Sequence, residues 1–117
     1  MTLVVSLGIA LLASPARASS NIIVNTNTDD TTTNGQCSLR EAMTNANNDA
    51  ATYPDCIAGS GADTIIFDSS LSGATITLGS DLPAINTTLT IDGSSLASQI
   101  TLSGNNVWRV FLVKAPL

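Results

Sequence analysis

Six consecutive residues, Cys37-Ser38-Leu39-Arg40-Glu41-Ala42, bring a thiol, a hydroxyl, a guanidinium and a carboxylate within reach of one another. Such a set could supply a nucleophile and an acid–base partner. A catalytic thiol, however, needs a neighbouring base to form thiolate at neutral pH. The chain contains no histidine, the commonest such base and a common metal ligand. Cys56 is the second and last cysteine, and two thiols with no further soft ligand fall short of a zinc site. Asp68 and Asp92 form another candidate pair. Each follows a β-rich run, and stacked on one edge they could make part of a hard-cation site. Asp before Ser or Gly at a strand end is also ordinary turn chemistry. Tyr53 and Trp108 could act as stacking platforms for a sugar in a small binding module, and Trp108 could equally pack inside. No catalytic residue, metal ligand or cofactor is assigned on these patterns.

Composition narrows the classes further. The 117 residues allow one small domain. Apolar residues make up 44%, yet only one Trp, one Tyr and two Phe are present. A core must therefore be built from Ile, Leu, Val and Ala. Thr, Ser and Asn dominate the polar positions, as on an extracellular surface. Net charge is -5 with four basic residues, which excludes a cationic stripe for nucleic acid and a polybasic patch for a membrane surface.

The first residues form a separate unit. Residues 3–13, "LVVSLGIALLA", are uninterrupted apolar and small residues, too few to cross a bilayer as a helix. Pro15 breaks the run, and Ala16-Arg17-Ala18 supplies an A-x-A cleavage site. This reads as a secretory signal peptide over residues 1–18. No Lys or Arg precedes the run, so either the start lies upstream of Met1 or the signal is atypical. The alternative is a buried hydrophobic strand or helix. Export makes an oxidised Cys37–Cys56 pair the expected state. The bridge closes a loop of about 20 residues, which stabilises by roughly 3 kcal/mol in the chain-entropy model.

The elements that hold these residues follow from local patterns. Residues 21–26, "NIIVNT", read as a first strand, and residues 27–36 as a polar loop with an Asn34-Gly35 turn. Ser38 followed three residues later by Glu41 is a capping box. Leu39, Ala42, Met43 and Ala46 then recur at helical spacing and form one apolar face. A short amphipathic helix is predicted from Ser38 to the Asn47-Asn48 pair, with Arg40, Thr44 and Asn47 off its apolar face. Glu41 thus has a structural duty, and Arg40 reads as a solvated or salt-bridged charge.

Beyond Asp63 the runs 64–67, 75–78, 89–91, 100–102 and 109–113 are β-rich and separated by turn residues. Two of them repeat: residues 64–68 match 88–92, and 75–78 match 99–102, both at an offset of 24. Apolar residues alternate, at 65/67 and 89/91 and at 76/78 and 100/102, turning one side of each strand inward. Residues 81–85 offer a third short strand. A repeat of this size predicts a mainly-β fold made of the first coils of a right-handed parallel β-helix, with an antiparallel sandwich as the competing architecture. Open solenoid ends need covering, and the helix placed before the first coil would supply the lid. Its face of Leu39, Ala42, Met43 and Ala46 would meet the core near Ile65 and Phe67. The predicted organisation is a signal peptide (1–18), an N-terminal cap (19–62) and β-helix coils (63–117), with the remaining coils in a longer chain.

Cys37-Ser38-Leu39-Arg40-Glu41-Ala42, then Asn45-Ala46-Asn47, a second cysteine and Gly61-Ala62-Asp63-Thr64-Ile65, resembles the CSLREA-type N-terminal domain. That domain heads large secreted or surface-displayed bacterial right-handed β-helix proteins. The resemblance spans roughly residues 22–113 and is carried most specifically by the hexapeptide and the second cysteine. It implies a secreted or cell-surface, adhesin-like protein, whose partners are the missing C-terminal coils and, through them, glycans or proteins of a cell surface. The function expected is that of a non-catalytic cap and folding nucleus. The alternative is the N-terminal fragment of a β-helical polysaccharide lyase or hydrolase with its catalytic residues further along.

Overall fold

A computed structural model describes residues 19–114, so the expected signal peptide lies outside the described residues. Strand β1 (Asn21–Val24) runs into a long polar loop, then helix α1 (Leu39–Asn48). Strand β2 (Asp63–Phe67) follows the disulfide loop, and a single 3-10 turn at Ser69–Leu71 leads to β3 (Thr75–Thr77). Strands β4 (Leu89–Asp92) and β5 (Thr101–Ser103) complete the described elements.

Every strand pairing among them is parallel. β2 lies between β1 and β4, while β3 pairs with β5 in a second, two-stranded sheet. Each parallel neighbour is reached by a crossover, which the intervening elements provide. α1 serves the β1–β2 connection, β3 the β2–β4 connection, and β4 the β3–β5 connection. Alternation then decides the faces. Ile22, Val24, Ile65 and Phe67 point inward and are buried, as are Ile76, Leu78 and Leu82. Against them lie Leu39, Ala42, Met43 and Ala46 of α1, each at most 1% exposed. The helix face anticipated from the 3.6-residue period is therefore the one that enters the core.

The expected mainly-β solenoid is corrected by this arrangement. The described residues form a small α/β structure: three parallel strands in one sheet, two in another, and a helix. Six of the ten helical residues are buried, so α1 is a principal part of the core and not an accessory to a β tube. Alternation specifies which side of a strand faces inward. It does not specify how many strands stack or how the core is divided between sheet and helix. Two further expectations change with it. Residues 109–113 do not form a strand; only Val113 makes an isolated parallel bridge, to Ile85. Residues 81–85 do not form a strand either, and Ile85 supplies the other half of that bridge.

The repeat offset is also revised. Thr64 pairs with Thr90 and Thr75 with Thr101, so partners are 26 residues apart in both sheets, not 24. The two-residue difference leaves the inward faces intact, because side-chain direction repeats every two residues. It changes the partners: Ile65 sits beside Ile91 and Ile76 beside Leu102. Gly93 then lies against Phe67, and a methyl added there would stand 3.9 Å from the Phe67 ring and 3.3 Å from Ile100.

Candidate functional site

The six-residue segment lies where β1, α1 and the disulfide loop meet. Asn25, just past β1, fixes its first residue: the Asn25 N–H donates to the Cys37 carbonyl (3.1 Å), and the Cys37 N–H donates to Asn25 Oδ1 (2.8 Å). Cys37 is bonded to Cys56, with Cα atoms 4.9 Å apart, and both are buried. Neither thiol is free, so this pair offers no nucleophile.

Ser38 and Glu41 close the helix start reciprocally. The Glu41 N–H donates to Ser38 Oγ (3.2 Å), and the Ser38 N–H donates to Glu41 Oε2 (3.0 Å). Two of the N–H groups that every helix start leaves without internal partners are thereby satisfied. The Ser38 hydroxyl also donates to the Asp30 carbonyl (2.6 Å), which ties the polar loop to the same point. Glu41 is fully buried. Loss of solvent raises its pKa above the usual 4.5, the Ser38 hydrogen bond opposes that rise, and the negative charges of Asp55 and Asp30 add to it. Its second oxygen, Oε1, and Asp30 Oδ1 are buried without a hydrogen-bond partner.

Arg40 faces away from the core and is largely covered. Its Nε and Nη2 grip the two carboxylate oxygens of Asp29 at 2.8 Å each, a fork-to-fork pair. Nη1 and Nη2 also donate to the carbonyls of Asp81 (2.7 Å) and Ser80 (3.0 Å). Asp29 in turn accepts the Gly79 N–H at 2.8 Å. One guanidinium thus joins α1, the first polar loop and the connection between β3 and β4. Asn47 repeats the attachment one helical stretch later, donating to the Ala84 carbonyl (2.8 Å) and accepting the Asn86 N–H (3.0 Å).

Three contributors receive no role from the sequence patterns above. Asn45 is fully buried and holds the disulfide loop: its Nδ2 donates to the carbonyls of Tyr53, Cys56 and Ile57, and its Oδ1 accepts the Tyr53 N–H at 2.8 Å. Its position carried a signal, since Asn45 sits four residues after Glu41 and borders the Ala42–Ala46 stripe. A polar side chain there must be satisfied by buried backbone. Asp63 opens the inward alternation 63/65/67 and accepts the N–H groups of Ser20 (3.0 Å) and Ser60 (2.9 Å). Gly59 lies directly against α1: a methyl there would stand 2.7 Å from Ala46 Cα and would also meet the Asn45 carbonyl.

The other candidates do not converge. The observed register places Asp92 beside Ile66, so Asp68 and Asp92 share no rung and the stacked-carboxylate expectation is corrected. Each closes its own turn instead, Asp68 accepting the Ser70 N–H (3.0 Å) and Asp92 the Ser94 N–H (2.8 Å). Hydrogen bonding from the Ser70 and Ser94 side chains first, and from their N–H groups second, holds both carboxyls below the usual 3.8. Among the described residues no group of three or more His, Cys, Asp or Glu side chains is placed to hold a metal ion. Tyr53 belongs to the disulfide loop and Trp108 to the segment after β5, where it is 39% exposed.

The far side of the molecule differs in character. Phe67, Ile91, Ile100, Leu102 and Phe111 line an open cavity of about 570 Å³ beside β4 and β5. Where α1 covers the β1–β2 side, no described element covers this one. Among the described helices none is long and apolar enough to cross a membrane. Comparison with protein families, with curated proteins and with solved structures finds no match to this chain.

Proposed function

We propose that this chain provides a non-catalytic lid for an exported protein. Its helix, disulfide and polar loop close one side of an apolar interior lined by parallel strands. The observation that carries the reading is the occupation of the whole hexapeptide: Cys37 is bridged, Ser38 and Glu41 cap α1, Leu39 and Ala42 fill the core, and Arg40 clamps two loops. Each residue of the hexapeptide is thus engaged by a structural contact. The oxidised Cys37–Cys56 pair supports an oxidising compartment, and the apolar run before an A-x-A site supports export. The resemblance of residues 37–65 to the CSLREA-type N-terminal domain points the same way, to an N-terminal module of a secreted or surface-displayed protein.

Expression of the full chain in a secreting bacterium tests the proposal. The expected product leaves the cytoplasm, begins at Ser19, and carries a closed Cys37–Cys56 bridge by mass spectrometry. Replacing Leu39 and Met43 by Asp should abolish accumulation of folded product. An uncut, reduced chain retained in the cytoplasm would overturn the export reading, and a folded Leu39→Asp, Met43→Asp variant the lid reading.

A further inference from the structure

The start of α1 contains a buried acid whose needs are only half met. Glu41 Oε2 accepts the Ser38 N–H, whereas Oε1 has no partner and no solvent. Asp30 stands on the other side of the same serine, its carbonyl accepting the Ser38 hydroxyl and its Oδ2 accepting Asn34 Nδ2 at 3.3 Å. Asp30 Oδ1 is the second buried oxygen with no partner, and no other buried side-chain nitrogen or oxygen among the described residues shares that condition. Asp55, from the disulfide loop, accepts the Asn34 N–H at 2.6 Å and adds a third carboxylate. The nearest cation on α1, Arg40, is committed to Asp29. Glu41 thus keeps one buried oxygen without a partner while the negative charges of half-buried Asp30 and Asp55 act on it, and the missing component is a proton.

We propose that Glu41 is held as a neutral carboxylic acid in the folded protein, its proton on the partnerless Oε1, so that the start of α1 is a proton-gated latch. A hydroxyl on Oε1 removes one charge and leaves Oε2 free to accept from Ser38, so the capping box persists in both protonation states. Loss of the proton places an ionised carboxylate in a dry site beside Asp30 and Asp55. The strain falls on the contacts that meet at Ser38: the polar loop, α1 and, through Asn34 and Asp55, the disulfide loop.

The direction of the pH dependence follows by linkage. Burial raises the Glu41 pKa, so the folded state binds the proton more tightly than the unfolded chain. The contribution is complete below the ordinary 4.5 and is lost as pH rises through the raised folded value. Within that window one extra bound proton changes the unfolding equilibrium constant by about tenfold per pH unit.

Urea unfolding of wild type and Glu41→Gln between pH 4 and 8 provides the test. Gln keeps the capping-box geometry and cannot ionise. The expected result is that wild type loses stability relative to Glu41→Gln as pH rises through the window. Parallel profiles would overturn the proposal. A titration of the Glu41 side-chain carboxyl by 13C NMR in the wild-type protein gives an independent reading if the variant fails to fold. Its midpoint is expected above 4.5 and should fall in Asp30→Asn, which removes a facing negative charge. A midpoint at or below 4.5 would overturn the latch. So would stabilisation by millimolar Ca2+ that Glu41→Gln abolishes, which would assign the two oxygens to a cation instead.

Discussion

Removing Arg40 leaves the Asp29 carboxylate covered, with the Gly79 N–H as its remaining partner. Breaking a largely buried pair by deleting one member costs several kcal/mol, because the other charge stays desolvated. Arg40→Ala is therefore expected to lose about 3 kcal/mol of unfolding free energy in urea titrations. Arg40→Lys should recover only part of it, since an ammonium cannot make the two-pronged contact or reach both loop carbonyls at once. Gly59 gives a second prediction at this scale. A methyl 2.7 Å from Ala46 Cα meets helix backbone as well as the Asp63 carboxylate, so Gly59→Ala should destabilise by about 2 kcal/mol, as overpacking typically does. Some of these roles were legible in the letters. Ser38 and Glu41 announced their reciprocal bonds through spacing alone, because a capping box is a local device. Arg40 and Asn45 were not assignable, since their partners lie up to 41 positions away in one case and on the loop carbonyls at 53–57 in the other. No local rule reaches that far.

Helix α1 was readable because two independent signals agreed: a start signal at Ser38 and an apolar stripe at 39, 42, 43 and 46. Ser38→Ala removes the acceptor for the Glu41 N–H and the donor to Asp30, and should cost about 1 kcal/mol for the lost cap. Opening the bridge in Cys37→Ser, Cys56→Ser frees the 19-residue separation and should cost about 3 kcal/mol. The change in unfolding midpoint between oxidised and reduced wild type checks the latter figure. Strands were less legible. Residues 109–113 carry strand-forming side chains, yet Phe111 and Val113 are exposed and only one bridge forms. β-propensity is realised against a partner strand and a covered face, and this segment finds only the single bridge to Ile85 and partial cover at Val110. The two-residue error in pairing offset has a related origin. Matching Thr and Ile by identity gives one register, while the observed pairing adopts another of the same parity, with Thr64 beside Thr90.

At the scale of the molecule, parallel pairing and the position of the apolar helix face are legible in the sequence. The architecture is not, because a two-fold repeat of short strands is compatible with several ways of closing a core. The structure resolves the matter by giving the helix a large share of the interior and leaving β4 and β5 half-covered. That asymmetry has a measurable consequence. The cavity formed by Phe67, Ile91, Ile100, Leu102 and Phe111 should bind a solvatochromic apolar dye and promote concentration-dependent association. Ile100→Ser with Phe111→Ser should reduce both in fluorescence and light-scattering measurements.

Amide hydrogen exchange of the oxidised and reduced protein tests the central claim most directly, namely that α1 and its disulfide form one cooperative unit with β1 and β2. Reduction of Cys37–Cys56 is expected to lower protection in α1, β1 and β2 together and by a similar factor. Strands that keep their full protection while α1 alone opens would contradict the account.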